Sequence, residues 1–494
     1  MSNGQPNVSR MSRLKWLRHV LESRGASTLA LFLMVAFGFL GWTQALPNQA
    51  IVIGITLIVI FEFQRRLDQG VPLLQLTCLI AVLQWLVGPA INYASTYSYG
   101  RYSMYVPEER YFRFAIPATA FFVAIMLGTG SSIRQENLLS AMDRRKFVSV
   151  GVALNIVGVA ATVLSVRWGA TGGSLAFLLY LLSQLRYVGA LYFICSNHEL
   201  RLVFAAASCV QLVTMSLGAG VFHDLVLWLA ILFCYWFAQR KWSAVTKFAL
   251  LGVACAALFS IQVVKQEYRE RIQRREQVSI FGLIGDYLTP GGSAWQNDTL
   301  RLAVTRLNQG WIISAVLKNV PEEEPFAEGE TIQVAIVSAL VPRLLWADKK
   351  KAGGRENFQR FTGLEIGRQT SMAISPLGEA YANFDEIGGI IFMVVFGAAF
   401  ALFYHGTLKY AARYPTFIFW IPLIFYHAIK AETEMVVVIN QLTKGAVVAF
   451  SFHYLIRRVF RLKMQRPGSA TLVSGRKPNH SPNLLNSEPE ALNR

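Results

Sequence analysis

One stretch of the chain, residues 341–389, concentrates side chains that can bind an anion. Its cations are Arg343, Lys349, Lys350, Lys351, Arg355, Arg360 and Arg368. Arginine can grip phosphate oxygens with two parallel N–H groups, and lysine supplies a compact charge. Cations this dense also attract anionic lipid headgroups, at about 1 kcal/mol each. Both interpretations place the stretch at a membrane surface, where the available anion is a lipid phosphate or diphosphate.

The same stretch contains the start of a helix with an acid close behind it. Ser375-Pro376 predicts a helix N-terminus, because serine caps helices and proline fits the first helical position. Glu379 follows in or just after the first turn, either as a charge that stabilises the helix dipole or as a general base. Neighbouring cations would keep its carboxylate ionised. Glu432 and Glu434, at the outer end of the last predicted hairpin, are further candidates for the same cleft.

The composition of the chain is that of a membrane protein. Of its 494 residues 54% are hydrophobic and only 15% are charged. The apolar residues fall in runs of roughly 17–23, and about 20 such residues cross a bilayer as a helix. The net charge of +18 lies mostly in short loops at alternate ends of these runs, which is the positive-inside pattern. This distribution argues against nucleic acid as a partner and makes the lipid bilayer the expected surroundings.

The runs predict an all-α polytopic membrane protein of about twelve spans with both termini in the cytoplasm. The predicted spans are 27–43, 46–63, 71–91, 112–130, 147–166, 174–195, 202–219, 221–238, 248–264, 387–407, 416–429 and 435–456. They divide the chain into a basic tail (1–26), a first membrane region (27–264), a large periplasmic loop (265–386), a second membrane region (387–458) and a disordered tail (459–494).

The large loop is too long for a simple connection, so it is expected to carry structure and function. Apolar residues at helical spacing predict an amphipathic helix over 298–319 that lies on the membrane surface. An exposed acidic turn follows at 321–330. A second helix over 331–341 is expected to end ahead of Pro342, because a proline disfavours the helical conformation of the residue before it.

Two charges fall deep inside predicted spans. Arg186 lies in the sixth span and Lys444 in the twelfth. Intramembrane charges are functional candidates, and the alternative is that their side chains extend to the membrane interface. All five cysteines lie inside or at the ends of apolar runs, which predicts buried thiols rather than disulfides or metal ligands.

The 341–389 stretch resembles a known family. Its run VPRLLWADKK, the following Thr370-Ser371 and the segment PLGEAYANFDEIGG are similar to motifs of the Wzy-type polymerases of oligosaccharide repeat units. Those proteins commonly show a Pro-Arg-x-x-Trp-x-x-Lys run and then Gly-Glu-x-Tyr-x-Asn-Phe-Gly before a late span. Asp385 stands where that family often has the last glycine. The resemblance covers roughly 50 residues closely, together with the arrangement of many spans around one large late loop.

The resemblance implies an inverting glycosyl transfer on the periplasmic face of the bacterial inner membrane. A growing glycan on undecaprenyl diphosphate would move onto the sugar of a new lipid-linked repeat unit, without a metal or a cofactor. Glu379 and Arg343 become the catalytic candidates. The expected substrate-binding residues are Lys349, Lys350, Lys351, Arg355, Arg360, Arg368, Tyr381, Asn383 and Lys444. The expected partners are the undecaprenyl-diphosphate-linked oligosaccharide, a chain-length-regulating co-polymerase and a flippase.

Three other activities compete with this interpretation. An O-antigen ligase uses the same donor with a different acceptor, and the sequence hardly separates the two. A lipid-linked oligosaccharide transporter would not need the large loop. A sorting peptidase would need an outside-facing cysteine with a histidine, and no cysteine of this chain fits that position.

Overall fold

In the computed structural model all regular secondary structure of the described ranges is helical, and no strand occurs in them. Those ranges are 24–67, 70–95, 100–129, 138, 142–168, 174–219, 223–239, 242–243, 245–247, 249–250, 252–253, 282, 307–341, 354–367 and 370–462. The predicted ninth span (248–264) and both predicted tails lie almost wholly outside them.

The first part of the chain forms a bundle of apolar helices. These are α1 (Arg24–Thr43), α2 (Asn48–Leu67), α3 (Leu73–Val82), α4 (Gly88–Ala94), α5 (Glu108–Gly128), α6 (Phe147–Trp168), α7 (Ser174–Ser183), α8 (Leu185–Ile194), α9 (Arg201–Ala219) and α10 (His223–Phe237). A single π-helical turn, Leu83–Val87, joins α3 to α4. The helix α5 packs against α1 and against a long helix from the end of the chain, so it lies at the centre of the fold.

The second part of the chain adds short helices and two long ones. These are α11 (Gly310–Asn319), α12 (Glu330–Leu340), α13 (Arg355–Thr362), α14 (Ser375–Arg413), α15 (Ile421–Phe425) and α16 (Met435–Val459). A 3-10 helix, Pro415–Trp420, precedes α15, so the predicted span at 416–429 is divided between two short elements. The helix α12 packs along α16, and α11 packs against α13 and α14.

Within the described ranges, six helical segments are long and apolar enough to cross a membrane. They are Leu73–Ala94, Glu108–Gly128, Phe147–Ser165, Leu175–Ile194, Ser375–Arg413 and Met435–Val459. Shorter apolar helices overlap four further predicted spans, at Ser27–Thr43, Arg201–Thr214, Asp224–Phe237 and Pro415–Phe425. On α14 the side chains of Ile387, Ile391 and Val395 are each more than half exposed, at a spacing of four residues. Such an apolar stripe has hydrocarbon as its natural surroundings, so the part of the chain that the structure describes is the helical part of a membrane protein.

The structure corrects the prediction for residues 298–319. The helix described there begins at Gly310, and every residue from Gly310 to Leu317 is buried. Its preceding residue, Gln309, donates its backbone N–H to Gln84 O at 3.1 Å, and the Trp311 ring packs edge-on against Tyr102. This segment therefore lies inside the protein rather than along a membrane surface, because aromatic and backbone contacts surround it.

Three local predictions in the loop are confirmed. The helix α12 ends at Leu340, and Val341 ahead of Pro342 is extended, with φ −89° and ψ 118°. Residues 321–330 form a mostly exposed turn. The helix α14 begins at Ser375, whose Oγ accepts a hydrogen bond from Gly378 N–H at 3.3 Å.

The helix α14 is broken at Asp385. This residue has φ 62° and ψ −170°, a left-handed conformation that side chains other than glycine adopt at a cost. The break separates a short piece, residues 375–384, from the apolar stretch that begins at Ile387. The short piece carries Glu379. Because of the break, its axis can differ from the axis of the apolar helix.

Candidate functional site

A cleft lies where α12, α13 and the start of α16 meet. It is lined by Glu330, Thr331, Val334, Gly354, Glu356, Asn357, Glu434 and Val436. Its cavity volume is about 30 Å³, far below the roughly 300–1,000 Å³ that is usual for small-molecule sites, so in this conformation the cleft is narrow. Five of its eight lining residues are polar or charged, so hydroxyl groups of a ligand would find hydrogen-bond partners there.

Glu379 lies behind the wall of this cleft. Its side chain is buried, with 1% of the residue exposed. Its Oε1 accepts the backbone N–H of Met435 at 2.7 Å, and its Oε2 accepts the Thr331 hydroxyl at 2.9 Å. Thr331 also lines the cleft, so the buried carboxylate lies one residue behind the cleft wall.

Asn383 fixes the position of Thr331. Its Nδ2 donates to Thr331 Oγ1 at 2.7 Å and to the Glu379 carbonyl at 2.7 Å, one helical turn earlier. Its Oδ1 accepts the backbone N–H of Thr331 at 3.4 Å. Thr331 lies in the first turn of α12, so these bonds join α12 to the short piece of α14. The network is fully buried, and each of its bonds therefore helps to define one geometry.

The charged side chain that acts on Glu379 is another acid, Glu434. Glu434, which precedes α16, has 2% of its surface exposed, and its charge acts repulsively on Glu379. Asn357 Nδ2 approaches Glu434 Oε2 at 3.5 Å. The sequence predicted cations beside Glu379, and within the described residues none appears among its contacts. This difference arises because Glu434 and Thr331 come from distant segments that the fold brings to Glu379.

The helix α13 forms another wall of the cleft and begins directly after Gly354. This glycine has φ +69°, and a Cβ on it would lie 2.4 Å from the carbonyl oxygen of Met372. Gly354 itself lines the cleft, so this close backbone approach lies at the site. Most of the predicted cations lie outside the described residues, namely Arg343, Lys349, Lys350, Lys351 and Arg368.

The two predicted cations that the structure describes have protein partners. Arg360 Nε lies 2.5 Å from Glu324 Oε1, and its Nη1 lies 2.8 Å from Glu330 Oε2. These hydrogen bonds raise the pKa of the Arg360 guanidinium. Arg355 Nε donates to Gln359 Oε1 at 3.2 Å, within α13. Arg360 thus ties α13 to the acidic turn at 321–330, which differs from the predicted role of gripping a substrate diphosphate.

The remaining predicted residues occupy three different places. Tyr381 packs its ring against Phe114 and Phe326 and donates its hydroxyl to Val320 O at 3.4 Å, so it belongs to the core. Asn383 belongs to the Glu379 network. Lys444 lies further along α16, where its Nζ donates to Asn440 Oδ1 at 2.6 Å. Neither Tyr381 nor Lys444 lines the cleft.

Sequence reasoning did not find Thr331 or Asn357. A threonine in a predicted helix and an asparagine in a basic segment carry no signal by themselves, because their role depends on which segments meet. Although three glutamates line the cleft, no group of three or more histidine, cysteine, aspartate or glutamate side chains is placed to hold a metal ion in the part of the chain that is described.

The fold and this cleft define an all-helical membrane protein with a buried, hydrogen-bonded carboxylate behind a polar cleft. Comparison with protein-family models, with curated proteins and with solved structures finds no match to this chain. The assignment of an activity therefore depends on the geometry of the cleft and on the sequence motifs.

Proposed function

We propose that this protein polymerises undecaprenyl-diphosphate-linked oligosaccharide repeat units by inverting glycosyl transfer. The observation that carries the proposal is the 2.9 Å hydrogen bond between Glu379 and Thr331, because Thr331 also lines the cleft. A general base must lie within hydrogen-bond reach of the proton that it removes, directly or through one bridging group. The Thr331 hydroxyl provides that bridge.

The proposed reaction forms one bond and breaks another at a single sugar carbon. The acceptor hydroxyl oxygen attacks the anomeric carbon of the donor glycan, and the bond from that carbon to the lipid diphosphate breaks. The acceptor proton passes to Thr331 Oγ1 as the threonine proton passes to Glu379 Oε2. The departing diphosphate carries away the electron pair, and the cations of the 342–353 run stabilise its charge.

The break in α14 supports the family resemblance. The motif of the Wzy-type polymerases often has a glycine where this chain has Asp385, and Asp385 adopts the left-handed backbone that favours glycine. The short piece of α14 and the break at its end thus form one local unit. Hydrogen bonds within this unit involve the motif residues Ser375, Glu379 and Asn383. The backbone at Asp385 therefore has the conformation that a glycine at this motif position would adopt easily. This agreement favours the polymerase over an unrelated transporter.

The proposal places the chain in the bacterial inner membrane with about twelve spans. The large loop 265–386 then lies in the periplasm and both termini lie in the cytoplasm, as the distribution of basic residues predicts. A co-polymerase that regulates chain length and a flippase remain the proposed protein partners.

Site-directed labelling is expected to bear out this orientation. Glu322→Cys and Asp143→Cys place reactive thiols at two exposed positions, the first in the large loop and the second in a predicted cytoplasmic loop. A membrane-impermeant maleimide should label the Glu322→Cys protein in intact spheroplasts. It should label the Asp143→Cys protein only after permeabilisation. The reverse pattern would invert the topology and remove the cleft from the periplasm.

Deleting the gene and sizing the surface glycans tests the activity itself. Loss of a polymerase leaves single repeat units attached to their final acceptor. Loss of a ligase leaves polymer that is not attached, and loss of a flippase leaves the repeat unit on the inner leaflet. Either of the last two patterns would replace the polymerase by that alternative.

A further inference from the structure

Two arginines lie beside one tyrosine ring where α14 and α16 end, away from the cleft. The guanidinium carbon of Arg457 lies 3.7 Å from the centre of the Tyr414 ring, and that of Arg413 lies 5.5 Å from it. Both charges also act on Tyr410, one turn earlier on α14. These contacts hold the two cations close together. We call Arg413, Tyr414 and Arg457 the Tyr414 site.

The positive charge of the Tyr414 site is not balanced by a carboxylate. Among the described residues, no acid forms an ion pair with Arg413 or Arg457. Within the same ranges the Nε of Arg457 is buried and has no hydrogen-bond partner. A cation–π contact holds a guanidinium in place without neutralising it. Two fixed and adjacent guanidinium groups therefore favour an anionic ligand, above all a phosphate.

An exposed stripe of α14 leads along the helix to this site. It consists of Leu402, Gly406, Lys409 and Arg413, which follow each other at helical spacing and are all exposed. Leu402 is 68% exposed. At Gly406 no atom of the described residues lies within 4 Å of the position that a Cβ would take, so the helix surface is open there. The stripe thus changes from apolar and open to cationic within three turns.

This order of groups matches a phospholipid better than a soluble anion. An acyl chain can lie along Leu402 and Gly406 while the headgroup reaches Lys409 and Arg413. On α16 the ring of Tyr454, three residues ahead of Arg457, is 51% exposed. Tyrosine is enriched where the apolar core of a membrane meets its headgroups. A free phosphate would use the cations and leave the apolar part of the stripe without a role.

We propose that the Tyr414 site binds the phosphate of an anionic phospholipid whose acyl chain lies along the exposed stripe of α14. The bound lipid joins the ends of α14 and α16 through Arg413 and Arg457. In the proposed orientation these ends face the cytoplasmic leaflet, which carries anionic lipids. The site lies apart from the cleft, so the inference does not depend on the proposed glycosyl transfer.

Titration of lipid into the purified full-length protein in detergent tests this site. Phosphatidylglycerol is the probe, and phosphatidylcholine and inorganic phosphate are separate arms. A ligand that binds the folded state raises the unfolding temperature, so the affinity follows from that rise as a function of ligand concentration. Phosphatidylglycerol is expected to raise it, and the two other compounds should have much weaker effects.

Three variants separate a built site from general attraction to a basic surface. Arg457→Gln is expected to bind phosphatidylglycerol about tenfold more weakly, because a charge-assisted contact is lost. Arg413→Gln carries the same expectation at an exposed position, where folding tolerates the change. Arg458→Gln is the matched control. It removes the same charge from the same turn of α16, but Arg458 lies over the Tyr454 ring instead, at 4.8 Å. This control should bind nearly as the wild type does.

Each other result overturns a specific part of the proposal. Unchanged affinity in folded Arg457→Gln and Arg413→Gln proteins would overturn the site. Equal losses in the Arg457→Gln and Arg458→Gln proteins would replace it by diffuse attraction to the whole basic surface. If Arg457→Gln fails to fold, the comparison of Arg413→Gln with Arg458→Gln decides the same point. Inorganic phosphate as effective as phosphatidylglycerol would overturn the lipid as the ligand, and equally effective phosphatidylcholine would overturn the need for a net negative headgroup.

Discussion

Replacing Glu379 by glutamine is expected to abolish glycan elongation without unfolding the protein. Glutamine has nearly the same shape, and its Oε1 can still accept the Met435 N–H that bonds Glu379 at 2.7 Å. The variant loses the proton acceptor behind Thr331, and general-base catalysis contributes about 10²–10⁴-fold to a rate. Purified protein supplied with lipid-linked repeat units gives the measurement, as the length of the glycan ladder over time.

Three companion variants separate a catalytic role of Glu379 from a structural one. Glu323→Gln changes an exposed acid of the turn and should leave the ladder unchanged. Thr331→Ser keeps the bridging hydroxyl and should remain active, whereas Thr331→Val should be as inactive as Glu379→Gln. A wild-type ladder from Glu379→Gln would show that this carboxylate only holds the start of α16. Glu434, which lines the cleft itself, would then be the next candidate.

Replacing Gly354 by alanine is expected to disrupt the cleft. At φ +69° an alanine costs about 1–2 kcal/mol of stability by itself. Its Cβ would in addition lie 2.4 Å from Met372 O and 3.1 Å from Ala373 Cα, so either α13 or the backbone at 372–373 must move. The helix α13 contributes Glu356 and Asn357 to the wall of the cleft. We expect lowered thermal stability together with strongly reduced elongation.

Gly100→Ala provides the control for backbone strain. Gly100 also has a positive φ, at +55°, but no atom lies within 4 Å of the position that a Cβ would take. This variant should therefore lose only the stability that the left-handed conformation costs, and its elongation rate should stay near the wild-type value. Equal losses of elongation in the Gly354→Ala and Gly100→Ala proteins would show that close packing at Gly354 is unimportant for the site.

The sequence indicated the helices and their ends because these depend on neighbouring residues. Of the twelve predicted spans, apolar runs correctly indicated the six described segments that are long enough to cross a membrane. Ser375-Pro376 predicted the start of α14, and Pro342 predicted the end of α12. These signals act over a few residues, so the fold does not alter them.

The surroundings of Glu379 could not be predicted in the same way. Its partner Thr331 lies 48 positions away along the chain, and Met435 lies 56 positions away. Arg360 shows the same limit, since no local rule selects Glu324 and Glu330 from the acids of the turn as its partners. The density of basic residues predicted a cationic cleft. The described walls of the cleft carry glutamates instead, because Arg360 forms ion pairs with Glu324 and Glu330.

The bond between Glu379 and the backbone of Met435 also determines how this protein can be divided. The large loop contributes the carboxylate, and the last helix contributes the amide that orients it. A loop fragment expressed by itself would lack both Met435 and Glu434, and its carboxylate would have no fixed direction. A chimera that exchanged only the loop between two such proteins would likewise join a foreign acid to a native amide. Modular exchange of specificity in this architecture therefore requires that the loop and the start of the final helix be transferred together.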